Sequence, residues 1–110
     1  MKFSYEVKDS YAEVKADGRL NMVSAPKLRE FVTDVIAGGS SRIVVNLQDT
    51  AFMDSSGLGA LIGCLKAARQ AGGDLRIAAV QPQVKMVLEL TSMDRVLNAY
   101  PSADEAFSND

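Results

Sequence analysis

A short run of β-branched residues near the middle of this 110-residue chain constrains its fold more than any other feature. Residues 42–47 read Arg-Ile-Val-Val-Asn-Leu, an apolar run with no alternation between polar and apolar positions. Such runs are typical of strands that are covered on both faces, as parallel strands are in α/β sheets. We therefore predict a central parallel strand here.

Regular periodicities flank this strand on both sides. Residues 3–7 and 12–16 alternate apolar and polar side chains, which predicts an N-terminal β-hairpin. Ser24 as N-cap and Pro26 in the first turn indicate a helix over residues 25–36. Similar patterns predict the remaining elements: strands at residues 75–80 and 96–100, and helices at residues 58–71, 82–91 and 102–107.

The element order is therefore ββαβαβαβα, with residues 48–55 as a loop and residues 108–110 as a frayed tail. Strand-helix-strand crossovers imply an α/β fold with a mixed, mainly parallel sheet and helices packed on it. We expect one domain over residues 1–110, because a chain of this length forms a single core. A monomer or weak dimer is expected.

The composition argues against several classes of function. Acidic and basic residues nearly balance, at 14 and 12, so no basic field is available for nucleic acid or anionic lipid. The chain has no histidine, which removes the commonest general base and metal ligand. The single cysteine, Cys64, excludes an intrachain disulfide and a cysteine metal cluster. We expect a protein that is not an enzyme and that holds no metal or cofactor.

The N-terminus offers neither the apolar core of a signal peptide nor a membrane span. With the single cysteine, this predicts a cytoplasmic protein without a membrane partner.

The segment between the central strand and the second helix carries the functional signal. Asp54, Ser55 and Ser56 precede Gly57 at a helix start, where hydroxyls and carboxylates commonly cap free N–H groups. The same N–H groups and the positive end of the helix dipole also favour a phosphate. Physical reasoning alone leaves both interpretations open and does not choose between the two serines.

The string Met-Asp-Ser-Ser-Gly-Leu-Gly at residues 53–59, after the strand Ile-Val-Val-Asn-Leu, resembles the signature of bacterial STAS-domain anti-sigma factor antagonists. Gly-Arg-Leu at residues 18–20, followed by a proline-containing helix start, is similar to a second segment of that family. The resemblance implies a STAS fold over the whole chain. It also implies phosphorylation of Ser55 by the partner, an anti-sigma factor that is a serine kinase using ATP.

The resemblance further implies that the unphosphorylated protein binds this kinase and releases a sigma factor, that phosphorylation blocks binding, and that a metal-dependent serine phosphatase reverses it. The expected partner-binding residues lie in two loops and at the start of the second helix: Asn21, Ser24, Asp54, Ser55, Ser56, Gly57 and Leu58. Asn21 departs from the family pattern, which usually has an acidic residue there; its effect on kinase docking stays open.

Two alternatives accompany this interpretation. One is a non-catalytic STAS scaffold subunit of a stress-signalling or lipid-transport complex. The other is a nucleotide-binding loop built on the glycines at positions 57, 59 and 63, for which close helix packing is the simpler explanation. Cys64 is expected in the core, and Met22 and Met53 fit either core packing or an interface.

Overall fold

The computed structural model describes residues 1–108 of the chain. Its strands, numbered here in chain order, are β1 (Lys2–Val7), β2 (Ala12–Leu20), β3 (Arg42–Asn46), β4 (Thr50–Met53), β5 (Asp74–Ala78) and β6 (Ala99–Tyr100). Its α-helices are α1 (Ala25–Ala37), α2 (Ser55–Gln70), α3 (Pro82–Leu90) and α4 (Ala103–Ala106), with a 3-10 turn at Met93–Arg95. The predicted hairpin, strands and helices are thus confirmed with shifts at their ends, except that the strand predicted over residues 96–100 is only two residues long.

The sheet is mixed and mainly parallel, as predicted. Its order is β1-β2-β3-β5-β6, in which only β1 runs antiparallel to its neighbour. β4 lies outside this path and pairs in parallel with the last residues of β2. The long strand β2 pairs with β1 on one side. On its other side it pairs with β3 along its first half and with β4 at its end, which brings Leu20 beside Met53.

Both faces of β3 are buried, as its apolar sequence predicts. Ile43 and Val45 join the main core with the buried faces of α1, α2 and α3. Val44, on the opposite face, packs in a second cluster with residues of α4 and with Phe107. Alternating side chains of one strand thus supply both helix layers, which is why residues 43–45 are all apolar.

The prediction of a loop over residues 48–55 is wrong in part. Thr50 to Met53 form β4, and α2 begins at Ser55, so the element order gains one strand and becomes ββαββαβαβα. Residues 50–53 read Thr-Ala-Phe-Met, which does not alternate polar and apolar residues, so the sequence shows no strand periodicity here. The partner of β4, residues 18–20, lies about 30 positions earlier in the chain, so no local signal announces the pairing.

Within residues 1–108, no helix combines the length and the apolar character that crossing a membrane requires. The expected fraying of the tail concerns mainly Asn109 and Asp110, which lie outside the described residues.

Candidate functional site: the start of the second helix

The first turn of α2 is capped by the residue that precedes it. The Asp54 Oδ1 atom accepts a hydrogen bond from the Gly57 amide at 3.0 Å, and the Asp54 carbonyl accepts one from the Leu58 amide at 3.0 Å. The Asp54 amide donates in turn to the Leu20 carbonyl at 3.2 Å. Asp54 therefore ties the helix start to the end of β2, and the capping interpretation of this carboxylate is confirmed.

Gly57 makes this contact between helix and strand possible. A Cβ atom on Gly57 would lie 2.4 Å from the Leu20 carbonyl oxygen and 2.9 Å from Met53 Cγ. By contrast, a Cβ atom on Gly59 would meet no atom within 4 Å. The first glycine of the pattern is thus explained by close packing of α2 on β2.

The two serines at the helix start differ in accessibility. Ser55, the first residue of α2, is exposed, and no hydrogen bond within residues 1–108 engages its hydroxyl. Ser56 is half-buried and lines a groove between the starts of α1 and α2. The Asp54 carboxylate already occupies the Gly57 amide, so the amides of the first two helix positions are those left to an added anion. A phosphate on Ser55 fits this helix end without unfolding it.

A second loop, between β2 and α1, is held by Asn21 and Ser24. The Asn21 amide oxygen accepts hydrogen bonds from the amides of Val23, at 3.0 Å, and Ser24, at 3.2 Å. The Ser24 hydroxyl accepts a hydrogen bond from the backbone N–H group of Asn21 at 2.9 Å and donates one to the Arg19 carbonyl at 2.6 Å. Ser24 occupies the N-cap position as predicted, but its side chain braces the loop and caps no helical N–H group.

Two apolar side chains of this loop are exposed to solvent. Met22 is 73% exposed and Val23 is 69% exposed. Met22 also borders the groove between the helices, together with the following residues: Ala25, Pro26, Arg29, Ser56, Gly59 and Ala60. Of the two methionines considered for an interface, Met53 is fully buried in the core, whereas Met22 lies on the surface at the groove that Ser56 lines.

A glutamine from α3 completes the edge of β4. Gln83 Oε1 accepts from the Met53 amide at 2.8 Å, and Gln83 Nε2 donates to the Met53 carbonyl at 3.0 Å. A single side-chain amide thus replaces the neighbouring strand that this edge lacks. Since Met53 lies two residues before Ser55, Gln83 fixes the backbone that leads into the helix start. The sequence contains no local signal of this contact, which spans 30 positions.

The structure brings the predicted site residues together at one end of the sheet but does not expose them all. Ser24, Gly57 and Leu58 are buried, and Asp54 is half-buried. Any effect of the buried three on a partner therefore passes through the neighbours that they position. Val23 was not predicted as a surface residue. Two adjacent apolar residues in a loop, between Asn21 and Ser24, are a sequence signal that could have indicated it.

Cys64 lies in the core, as expected, and is 2% exposed. Burial raises the pKa of its thiol to about 12. A thiol of this kind stays protonated and unreactive at neutral pH.

The sequence model of the STAS domain matches residues 2–106, nearly the whole chain. This protein belongs to the STAS domain family. Among curated STAS proteins, the anti-sigma-B factor antagonist of Staphylococcus aureus is 34% identical over 90 residues, which are 82% of this chain and 83% of the relative.

Solved STAS structures agree with this assignment. A Thermotoga maritima protein with a provisional assignment as an anti-sigma factor antagonist superposes with a TM-score of 0.88 at 28% identity, covering 96% of this chain and 92% of its own. An anti-sigma factor antagonist from Mycobacterium paratuberculosis gives a TM-score of 0.85 at 26% identity, with 97% and 91% coverage. The STAS fold predicted from the motif is thus confirmed, and the similar proteins are named as regulators and not as enzymes.

Proposed function

We propose that this STAS protein, as one domain over residues 1–110, is a cytoplasmic anti-sigma factor antagonist that is switched by phosphorylation of Ser55. Unphosphorylated, it binds an anti-sigma factor that is also a serine kinase, and this binding releases a sigma factor. The phosphate ends the contact, and a serine phosphatase restores it. The exposed hydroxyl of Ser55, at the first position of a capped helix beside an apolar surface, is the observation that carries the proposal.

Accessibility favours Ser55 over Ser56 as the phosphorylated residue. A kinase must place the acceptor hydroxyl in line with the γ-phosphate of ATP, which requires an exposed side chain without competing hydrogen bonds. Ser55 meets both conditions, whereas Ser56 is half-buried in the groove. The resemblance to the family motif points to the same serine.

The proposed docking surface consists of Met22, Val23, Ser55, Ser56 and the groove between α1 and α2. Its apolar part, Met22 and Val23, supplies the large exposed side chains that interface centres commonly use. Ser24 and Asn21 hold that loop in place, and Asp54 and Gly57 hold the start of α2. Their predicted role in binding is therefore a positioning role.

A phosphate on Ser55 would oppose binding for two reasons. It adds a charge of about −1.5 to −2 to this surface. It also adds that charge beside the Asp54 carboxylate, so a partner would have to desolvate two neighbouring negative groups. A loss of affinity of a hundred- to a thousand-fold corresponds to about 2.7 to 4.1 kcal/mol.

The experiment uses the anti-sigma kinases encoded in the same genome. Incubation with ATP should add one phosphoryl group to the wild type and to Ser56→Ala, as measured by intact mass, and none to Ser55→Ala. In calorimetric titrations with the anti-sigma kinase, Ser55→Ala should bind as tightly as the unphosphorylated wild type. Ser55→Glu should bind with an affinity at least a hundred-fold lower.

Equal binding of Ser55→Ala and Ser55→Glu would remove Ser55 from the switch. If, in addition, no kinase modified the protein, the non-catalytic scaffold would become the better interpretation.

A further inference from the structure

The first strand of the sheet has an unpaired outer edge. β1 is the terminal strand in the sheet order and, within residues 1–108, pairs only with β2, over six residues without a bulge. The Lys8 amide points towards β2, where it donates to the Tyr11 carbonyl at 2.7 Å. Because this direction alternates along an antiparallel strand, the N–H and C=O groups of Phe3, Tyr5 and Val7 point outwards.

The side chains of this edge are exposed as well. Tyr5 is 53% and Val7 is 63% exposed, on the face where Phe3 and Tyr5 contact the Phe31 ring of α1 at centroid distances of 5.4 and 5.8 Å. Lys2, Ser4 and Glu6 occupy the other face and are exposed. Regular edges of this kind are templates for pairing with another strand.

The sequence of β1 is complementary to itself in the antiparallel direction. When two copies are related by a two-fold axis at Ser4, Lys2 of each copy lies opposite Glu6 of the other, and Phe3 lies opposite Tyr5. Phe3 and Tyr5 are the residues with outward backbone groups, so they form the hydrogen-bonded pairs. Lys2 and Glu6 then form non-hydrogen-bonded pairs, where side chains approach closest.

Charge favours this register over the one with its axis at Tyr5. Placing the axis at Tyr5 keeps the hydrogen-bond pattern but sets Lys2 opposite Lys8 twice, which is repulsive. A register shifted by one residue would set the outward backbone groups of one copy opposite groups of the other copy that point towards its own β2, so the hydrogen bonds could not form. It would also set side chains of one face of the sheet opposite side chains of the other face. Charges on an edge strand usually prevent association. Glu6 is already paired within its own chain with Lys8, at 2.6 Å, so Lys2 of a second copy would be the second cation beside an exposed carboxylate. The signs at positions 2 and 6 are therefore arranged so that they attract a second copy.

We propose that β1 is a homodimerisation edge, through which two copies join their sheets antiparallel around Ser4. The interface, one strand from each copy with the flanking Phe3 and Tyr5 rings, is small. It belongs to the weak, concentration-dependent class of association. The proposal does not depend on the function of Ser55.

The test is a charge reversal followed by analytical ultracentrifugation over a wide range of protein concentration. Lys2→Glu and Glu6→Lys should each weaken the dimer about tenfold, because each creates two like-charge pairs per dimer. The double variant should return to near wild-type affinity. An equimolar mixture of the two single variants should also dimerise, since one copy then carries only acidic and the other only basic residues at positions 2 and 6.

Lys85→Glu is the matched control, because Lys85 is an exposed lysine on α3, and α3 packs against β4. It should dimerise like the wild type, and thermal melts should show that all variants are folded. A wild type that stays monomeric up to millimolar concentration would overturn the proposal. So would a dimer that tolerates both single reversals, whereas phosphorylation and partner binding at Ser55 would stand in either case.

Discussion

Replacing Gly57 with alanine tests the packing on which the whole site depends. The added Cβ atom would lie 2.4 Å from the Leu20 carbonyl oxygen, 2.7 Å from Leu20 Cγ and 2.9 Å from Met53 Cγ. The nearest of these atoms belongs to the backbone of β2, which is held in the sheet and cannot turn away as a flexible side chain would. The start of α2 must therefore move outwards.

The expected cost follows from three contributions. Overpacking of a close contact costs about 1 to 3 kcal/mol. Moving the helix also strains the hydrogen bond from the Asp54 amide to the Leu20 carbonyl, worth about 1 kcal/mol. Alanine gains at most about 1 kcal/mol over glycine in helix propensity. Gly57→Ala should therefore destabilise the protein by about 2 kcal/mol, which lowers Tm by roughly 8 °C in a domain of this size.

Gly59→Ala is the matched control for this change. Gly59 lies in the same helix, is exposed, and has no atom within 4 Å of the position that a Cβ atom would take. Only the gain in helix propensity remains, so this variant should be more stable than the wild type by up to about 1 kcal/mol. Urea denaturation with equal m-values measures both. If the two variants shifted the midpoint in the same direction by similar amounts, the close approach of α2 to β2 would be refuted.

Three further predictions concern the supports of the site. Gln83→Ala should cost about 1 to 3 kcal/mol in urea denaturation, because both backbone groups of Met53 lose their partner. Asn21→Asp keeps the accepting oxygen and should leave Tm nearly unchanged, whereas Asn21→Ala should cost about 1 kcal/mol; equal melting of both variants would contradict this role. Cys64, with its pKa raised to about 12, should react with a thiol reagent at pH 8 only after denaturant unfolds the protein; rapid labelling of the native state would show that the site is open.

Local patterns predicted most of the fold. The apolar run at residues 43–45 identified a strand buried on both faces, and all three residues are fully buried. Proline and glycine placed the helix ends because their effects on the backbone are intrinsic. β4 was not predicted, since its existence depends on the end of β2 and on an amide from α3, neither of which is near it in sequence.

In the candidate site too, features set by local sequence could be predicted and features set by distant residues could not. The cap at Asp54 follows from the residue types at a helix start, and it is present. The exposure of Ser55 and the partial burial of Ser56 do not follow from sequence, because they depend on where α1 packs beside α2. The groove that is lined by Ser56 but not by Ser55 exists only in the folded protein.

Position 21 can contribute a hydrogen-bond acceptor and a negative charge, and the structure shows which of the two the loop requires. Its amide oxygen accepts from the Val23 and Ser24 amides, a task for which a carboxylate oxygen is equally suited. The loop thus needs an acceptor at this position and does not need a charge. An acidic residue at this position would add only a negative charge next to the exposed Met22. The neutral amide of this chain therefore keeps the shape of the proposed docking surface and changes its charge, so a partner selected for Asn21 should lack a cation at the facing position.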